Sequence, residues 1–229
     1  MKKIVYICMI VLAVSTVRAQ EIDFTLGADV VSSYVWRGAY GTSAAIQPAA
    51  GISVAGFSLS AWGSIPIEGV EKEFDFTASY EVAGLSIAIT DYWWAGEGVN
   101  KYFMYDSKRT DHLFEATVGY ELPIEKFPLS LSVNTMFAGA DYSKANGKRA
   151  YSTYISAAYP FSVKTVDLSA SIGMTPSEGI YASDFSVVSI GLKASKELKI
   201  TDSFSLPVFG EIITNPRSEE IFFVFGISL

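Results

Sequence analysis

Few side chains in this 229-residue sequence have the chemistry of a catalytic site. His112 is the only histidine, and nucleophilic hydrolysis would need a serine, this histidine and an orienting polar residue held together. No serine motif accompanies His112. We therefore interpret it as a surface histidine rather than a general base, and we expect no enzymatic activity.

Patterns for binding metals or phosphate groups are also missing. The single cysteine, Cys8, lies in a segment that we expect to be removed, so the remaining chain offers one histidine and scattered carboxylates. No D-x-D-x-D-G calcium loop occurs, and the glycines form no phosphate-binding pattern. The sequence therefore predicts neither a metal site nor a cofactor.

Charged side chains do recur with a regular spacing. Glu73, Asp75 and Glu81 alternate with apolar residues, and residues two apart in a strand point to the same face. Phe74 and Phe76 would lie on the opposite face. Carboxylates along a water-filled passage attract cations and repel anions. The spacing of two indicates that a β-strand would hold these side chains.

The final segment, 221–229, shows the same alternation with a strongly apolar face. Every second residue belongs to this apolar face, namely Ile221, Phe223, Phe225, Ile227 and Leu229. An unpaired aromatic edge strand invites aggregation. We therefore expect this segment to pair with the first strand of a closed barrel.

The beginning of the chain indicates where such a barrel would be placed. Lys2 and Lys3, an apolar run over 4–14 and the exit Val17-Arg18-Ala19 predict a secretory signal peptide over 1–19, leaving a barrel over 20–229. The run is too short for a helix to cross a hydrocarbon layer of ~30 Å. Without Lys2, Lys3 and Arg18 the formal charge falls from −7 to −10, which disfavours nucleic acid as a partner.

Strands are the remaining way for this chain to cross a membrane. No later stretch has 18 consecutive apolar residues, although half of the chain is hydrophobic. The pattern predicts an all-β fold, a transmembrane up-and-down antiparallel β-barrel of twelve strands, with both termini on the periplasmic side. The predicted strands are about 22–37, 43–54, 57–65, 73–82, 85–94, 111–122, 129–139, 149–159, 165–175, 185–197, 203–214 and 221–229.

The connections predict which end faces which compartment. Tight turns at 55–56, 83–84, 123–128, 160–164 and 198–202 would face the periplasm. Longer loops at 38–42, 66–72, 95–110, 140–148, 176–184 and 215–219 would face outward. Aromatic residues at the predicted outer strand ends suit a membrane interface, among them Tyr34, Trp36, Trp93 and Trp94. The alternative is a soluble periplasmic β-sandwich, which would not need apolar residues around its whole outside.

Three segments in the first third of the chain also resemble a known family. They are Ser32-Ser33-Tyr34-Val35-Trp36-Arg37-Gly38, Ala61-Trp62-Gly63-Ser64, and Glu73-Phe74-Asp75-Phe76 with Tyr80. In these segments the chain resembles the TorF-type porins of Gram-negative outer membranes. The resemblance implies an outer-membrane barrel of porin type with no assigned substrate.

The alternation assigns a set of side chains to the interior of the barrel. The predicted pore-lining residues are Asp29, Arg37, Trp62, Glu73, Asp75, Glu81, Glu115 and Glu211. Acids outnumber bases, so we expect a cation preference, with Arg37 as a counter-ion beside the acids of the fourth predicted strand.

We interpret the chain as an outer-membrane porin-like channel for passive diffusion of small solutes. Two other functions stay open: a plugged structural or adhesive barrel with ion-paired lumen charges, and an outer-membrane lipid-acting enzyme marked by His112. The expected partners are outer-membrane lipid, small solutes and the barrel-assembly machinery, reached through the C-terminal strand. The sequence predicts no oligomeric state.

Overall fold

The computed structural model describes residues 21–96, 101–106, 109–124, 127–142 and 146–229. These residues form fourteen β-strands, and twelve of them close an antiparallel up-and-down barrel in the order β1-β14-β13-β12-β11-β10-β9-β8-β7-β6-β5-β4. The predicted fold class is confirmed. The strands are β1 (Asp23–Val31), β2 (Tyr34–Trp36), β3 (Ala39–Thr42), β4 (Ala45–Val54), β5 (Phe57–Pro66), β6 (Lys72–Val82), β7 (Leu85–Ala95), β8 (His112–Glu121), β9 (Ser130–Gly139), β10 (Thr153–Val163), β11 (Val166–Thr175), β12 (Ser186–Lys199), β13 (Ser205–Asn215) and β14 (Glu220–Ser228).

The barrel closes where the last strand meets the first. Residue pairs Asp29↔Ser228, Val30↔Ile227 and Val31↔Gly226 join β1 to β14, and Leu229 exchanges backbone hydrogen bonds with Ala28. This seam is shorter than the pairing between β1 and β4, which extends over nine residue pairs. The C-terminal strand therefore closes the barrel as predicted, through a short contact.

Alternation along the strands separates two faces. Phe24 and Leu26 of β1 point outward and are 78% and 90% exposed. The outward parity of the other strands is also apolar and exposed, as in Phe76, Ile89 and Phe223. The inward parity carries small and polar side chains, so the wall has an apolar outside and a polar inside.

Two short turns have the backbone twist that antiparallel strands require. Ala55 and Gly56 have φ of 56° and 83°, and Ala83 and Gly84 have φ of 51° and 81°. Positive φ at both central residues is the type I′ geometry that matches the twist of the flanking strands. We call the end of the barrel with these turns the turn end, and the opposite end the loop end.

The first strand ends earlier than the alternation predicts. It stops at Val31, and residues 34–42 form a separate two-stranded sheet of β2 and β3. Arg37 and Gly38, with φ of 52° and 81°, make its tight turn. The predicted strand over 22–37 and loop over 38–42 were therefore wrong, and we call the segment 34–42 the lumen hairpin.

Two other details concern prolines in the wall strands. Pro160 lies within β10 opposite Ser169, and the turn that was predicted over 160–164 follows Val163. Pro48 pairs with Ala28, but the β4–β5 ladder has no pairs at Gln47 and Pro48, because a proline has no N–H to donate. The predicted signal peptide and parts of the 95–110, 123–128 and 140–148 connections lie outside the described residues.

Within the described part of the chain, no helix is long and apolar enough to span a bilayer.

Candidate functional site

The lumen hairpin folds inward and fills the loop end of the barrel. The Trp36 ring lies 5.6 Å from Tyr92, 6.0 Å from Trp94 and 5.7 Å from Tyr181, measured between centroids. At the turn, Asn215 Nδ2 donates to the Gly38 carbonyl at 3.1 Å. A Cβ on Gly38 would stand 1.9 Å from the Val188 carbonyl oxygen, so only glycine fits at this contact.

Arg37, at the tip of the hairpin, is held by a buried carboxylate. Its guanidinium donates to both oxygens of Glu115, at 2.6 and 2.8 Å, and to the Tyr181 hydroxyl. Its Cζ lies 4.7 Å from the ring centroids of Trp36 and Tyr154. Burial acts to lower the pKa of Arg37, but the hydrogen bonds to Glu115 and the charge interactions with Glu115, Tyr181 and Tyr92 together raise it. Arg37 is therefore a permanently charged anchor.

The partner of Arg37 differs from the expected one. The sequence placed it beside the acids of the fourth predicted strand, which is β6, whereas it pairs with Glu115 of β8. The reason is the hairpin turn, which carries Arg37 away from the wall strand that precedes it. Tyr92 completes this site by donating from its hydroxyl to Glu115 Oε1 at 2.9 Å.

Glu73 and Asp75 lie on the inward face of β6 beneath the same hairpin. They are 4% and 7% exposed, and their neighbours across the ladders are Ser64 and Trp94 for Glu73, and Trp62 and Tyr92 for Asp75. Three carboxylate oxygens, both of Glu73 and Oδ1 of Asp75, have no hydrogen-bond partner among the described residues. The predicted residue Trp62 packs against Tyr34 of the hairpin at 5.4 Å between centroids.

The other predicted interior residues are spread over the wall. Asp29 of β1 is half-buried and lies opposite Gln47 of β4. Glu211 of β13 lies opposite Lys193 of β12, and Lys193 Nζ is 4.1 Å from the Phe209 ring centroid. Glu81 is exposed near the turn end. The structure thus brings Arg37 and Glu115 together, and Trp62, Glu73 and Asp75 together, but it does not gather all eight residues.

The turn end of the lumen has a different character. Its inward side chains are small, polar and accessible, and a polar recess of about 370 Å³ opens there between β1, β4, β5 and β6. The recess is lined in part by Asp23, Ser53, Ser58, Ser79 and Glu81. Water and small solutes can therefore reach the interior wall from this end.

His112 is not the surface residue that the sequence predicts. It points outward near the loop end but is 0% exposed, because residues 101–106 fold over it. Its Nδ1 lies 2.6 Å from Asp91 Oδ1, and its Nε2 lies 2.5 Å from the Tyr102 carbonyl oxygen. Both ring nitrogens are engaged with acceptors, so the histidine ties a loop to the wall and has no nitrogen free to serve a serine.

Sequence reasoning missed the rings that receive the hairpin. Tyr34, Trp36 and Trp94 were predicted at the membrane interface, and all three lie inside the lumen. For Trp94 the signal was present, because it shares the inward parity of Tyr92 and lies opposite Glu73. For Tyr181 there was no signal, since it belongs to the loop after β11 rather than to a strand.

No group of three or more histidine, cysteine, aspartate or glutamate side chains suited to a metal ion occurs among residues that the structure describes. No protein-family model and no curated protein matches this chain.

Proposed function

We propose that the protein is an outer-membrane channel for passive diffusion of small solutes, closed at its loop end by the lumen hairpin in the conformation described here. The closed barrel is compatible with this function because its ladder leaves no open sheet edge, as a strand protein in a bilayer requires. The resemblance to TorF-type porins points to the same location.

The outside of the barrel supports a membrane location. Large apolar side chains are exposed around the wall, including Leu26, Leu59, Ile87, Val133 and Leu192. A soluble protein rarely exposes so wide an apolar surface, whereas lipid chains would cover it.

The single observation that carries the proposal is that a separable segment fills the lumen. Among the described residues, the strands of the lumen hairpin form a ladder with each other and with no wall strand, and the hairpin is held mainly by side-chain contacts. Its departure would therefore leave the wall ladder intact. What would remain is a lumen with the wall rings Trp62, Tyr92 and Trp94 at its loop end and mostly Ser, Thr, Ala and Gly toward its turn end, which leave room for water.

A specific observation also favours a second function, a permanently plugged structural barrel. The Arg37–Glu115 pair is buried and bidentate, and removing one partner of such a pair leaves an uncompensated charge. A hairpin held this firmly would act as a structural filling rather than a gate.

Planar-bilayer conductance of the refolded protein separates the two functions. We expect the parent to conduct weakly, and a variant with 34–42 replaced by a short Gly-Ser linker to show larger, ohmic currents. The matched control replaces 67–70, an exposed loop of the same end, and should behave as the parent. A hairpin-replaced variant that migrates as a folded barrel but does not conduct would contradict the channel and favour the structural role.

A further inference from the structure

Glu73 and Asp75 are buried carboxylates without a hydrogen-bonded cation. Three of their oxygens, both of Glu73 and Oδ1 of Asp75, have no hydrogen-bond partner among the described residues. Tyr34, Trp94 and the carboxyl group of Asp75 lie close to Glu73, and none of them carries a positive charge. An ionised carboxylate removed from water is costly unless it is paired or coordinates a metal. The pair is therefore balanced either by protonation of the carboxyl groups or by a positively charged occupant.

The cationic side chains of the lumen are already engaged. Arg37 gives two hydrogen bonds to Glu115, and Lys193 lies across the ladder from Glu211. In the described part of the chain, no salt bridge involves Glu73 or Asp75. When both groups are ionised, they carry two negative charges with no cationic protein partner among the described residues, and one divalent cation would balance them.

The available ligands are all oxygen atoms. Carboxylates point inward from successive same-face positions of β6, and the hydroxyl-bearing Ser64 lies opposite Glu73. Oxygen ligands select hard cations such as Mg²⁺, Ca²⁺ and Mn²⁺. Mg²⁺ is commonly held by only one or two carboxylates and keeps several waters, so a site need not contain three acids.

We propose that Glu73 and Asp75 bind one hard divalent cation of the Mg²⁺ or Ca²⁺ class between β6 and the lumen hairpin. This site is distinct from the proposed channel function and does not depend on conduction. Because Tyr34 and Trp36 lie over this part of the wall, the bound cation would also help to keep the hairpin seated.

An access route from the turn end follows the same strand. Below Asp75, the inward face of β6 carries Thr77, Ser79 and Glu81, all with oxygen-bearing side chains. Ser79 and Glu81 line the polar recess that opens at the turn end. Thr77 lies between this recess and the buried pair, so the row of oxygen-bearing side chains marks the route that a hydrated cation would follow.

Tryptophan fluorescence can report binding, because Trp94 and Trp62 lie opposite Glu73 and Asp75. Detergent-refolded protein, stripped with a chelator, is titrated with MgCl₂ and with CaCl₂ at constant ionic strength, and equilibrium dialysis gives the stoichiometry. We expect a saturable change with one ion per protein for at least one of the two salts. The E73Q/D75N variant should lose it, and Glu197→Gln, which alters an exposed acid of β12 away from the entry route, should retain it.

Several outcomes would overturn the site. One is a parent protein that binds neither ion saturably, in which case the two carboxyl groups are held by a shared proton. Another is an equal fluorescence change with NaCl, which would indicate general screening. If E73Q/D75N does not fold, the single variants E73Q and D75N replace it, and unchanged affinity in both would count against the proposal. Because the measurement needs no current, a non-conducting barrel could still bind the ion.

Discussion

The two ends of the lumen are built by the same strands but differ in what fills them. At the loop end, Trp36 and Arg37 of the hairpin meet rings and a buried acid of the wall. At the turn end, serine side chains and Glu81 face an accessible recess. The difference arises from the nine residues 34–42, which do not belong to the wall.

Strand β6 shows the same contrast within one strand. Glu73 and Asp75 at its loop end are buried, whereas Ser79 and Glu81 on the same inward face are accessible. Alternation thus decides which side chains face inward. A segment from another part of the chain decides whether water reaches them.

The largest expected effect is the loss of barrel assembly when the seam between β1 and β14 is removed. Residues 225–229 contain all the β14 partners of β1 in the ladder, so their deletion would leave two open edges. We expect no membrane assembly, measured as loss of heat-modifiable migration from outer-membrane fractions. Normal migration of the truncated protein would show that the seam is dispensable.

Next in size is the effect of breaking the ion pair at the loop end. Arg37→Ala leaves Glu115 buried without its partner, so we expect a loss of about 3–5 kcal/mol in the free energy of unfolding. Glu81→Gln at the turn end, where the acid is exposed, should change it by about 0.5 kcal/mol or less. If urea titrations gave equal losses of unfolding free energy for the two variants, the loop end would not be more sensitive to charge removal than the turn end.

A smaller loss of stability is expected when arginine is placed on the outward face of the wall than when the ion pair is broken. Ala78 points outward and Ser79 inward on β6. Arginine at Ala78 would face lipid near the middle of the barrel and should cost about 2–4 kcal/mol, while arginine at Ser79 should alter conduction instead. Unfolding free energies that are lowered equally by Ala78→Arg and Ser79→Arg would contradict the assigned faces.

The smallest effect concerns the ion selectivity of the opened lumen. With the hairpin replaced, Asp29 and Glu81 face water in the lumen, where fixed charges are screened only over a Debye length of ~8 Å at physiological salt. The Asp29→Asn, Glu81→Gln double variant should show a lower cation preference, measured as reversal potential in a salt gradient. The shift should grow as ionic strength falls, and an unchanged potential would indicate that these acids do not act on the passing ions.

Most of the wall could be predicted from the sequence, because burial on one face imposes a period of two. Phe74, Phe76 and Ala78 show this period without interruption, and the two Ala-Gly turns mark the strand ends. The twelve strands and their order follow from these local patterns. They require no knowledge of distant contacts.

The lumen hairpin could not be predicted in the same way. Tyr34 and Trp36 continue the period of β1, so the pattern does not reveal that the strand has ended. The turn also lacks the usual sequence pattern of a tight hairpin turn. Its first residue with positive φ is Arg37, where Asn, Asp or Gly is usual. His112 was misread for a related reason: its cover comes from a loop whose path has no sequence period.

The position of the lumen hairpin near the beginning of the chain has a consequence for the order of folding. Arg37 and Gly38 bind partners 78, 144 and 177 residues further along, on β8, in the loop after β11 and on β13. Contacts between such distant residues form slowly, because the loop-closure entropy must be overcome first. The hairpin thus precedes all of these partners in the chain, and we expect it to complete its contacts only after the strands up to β13 are in place.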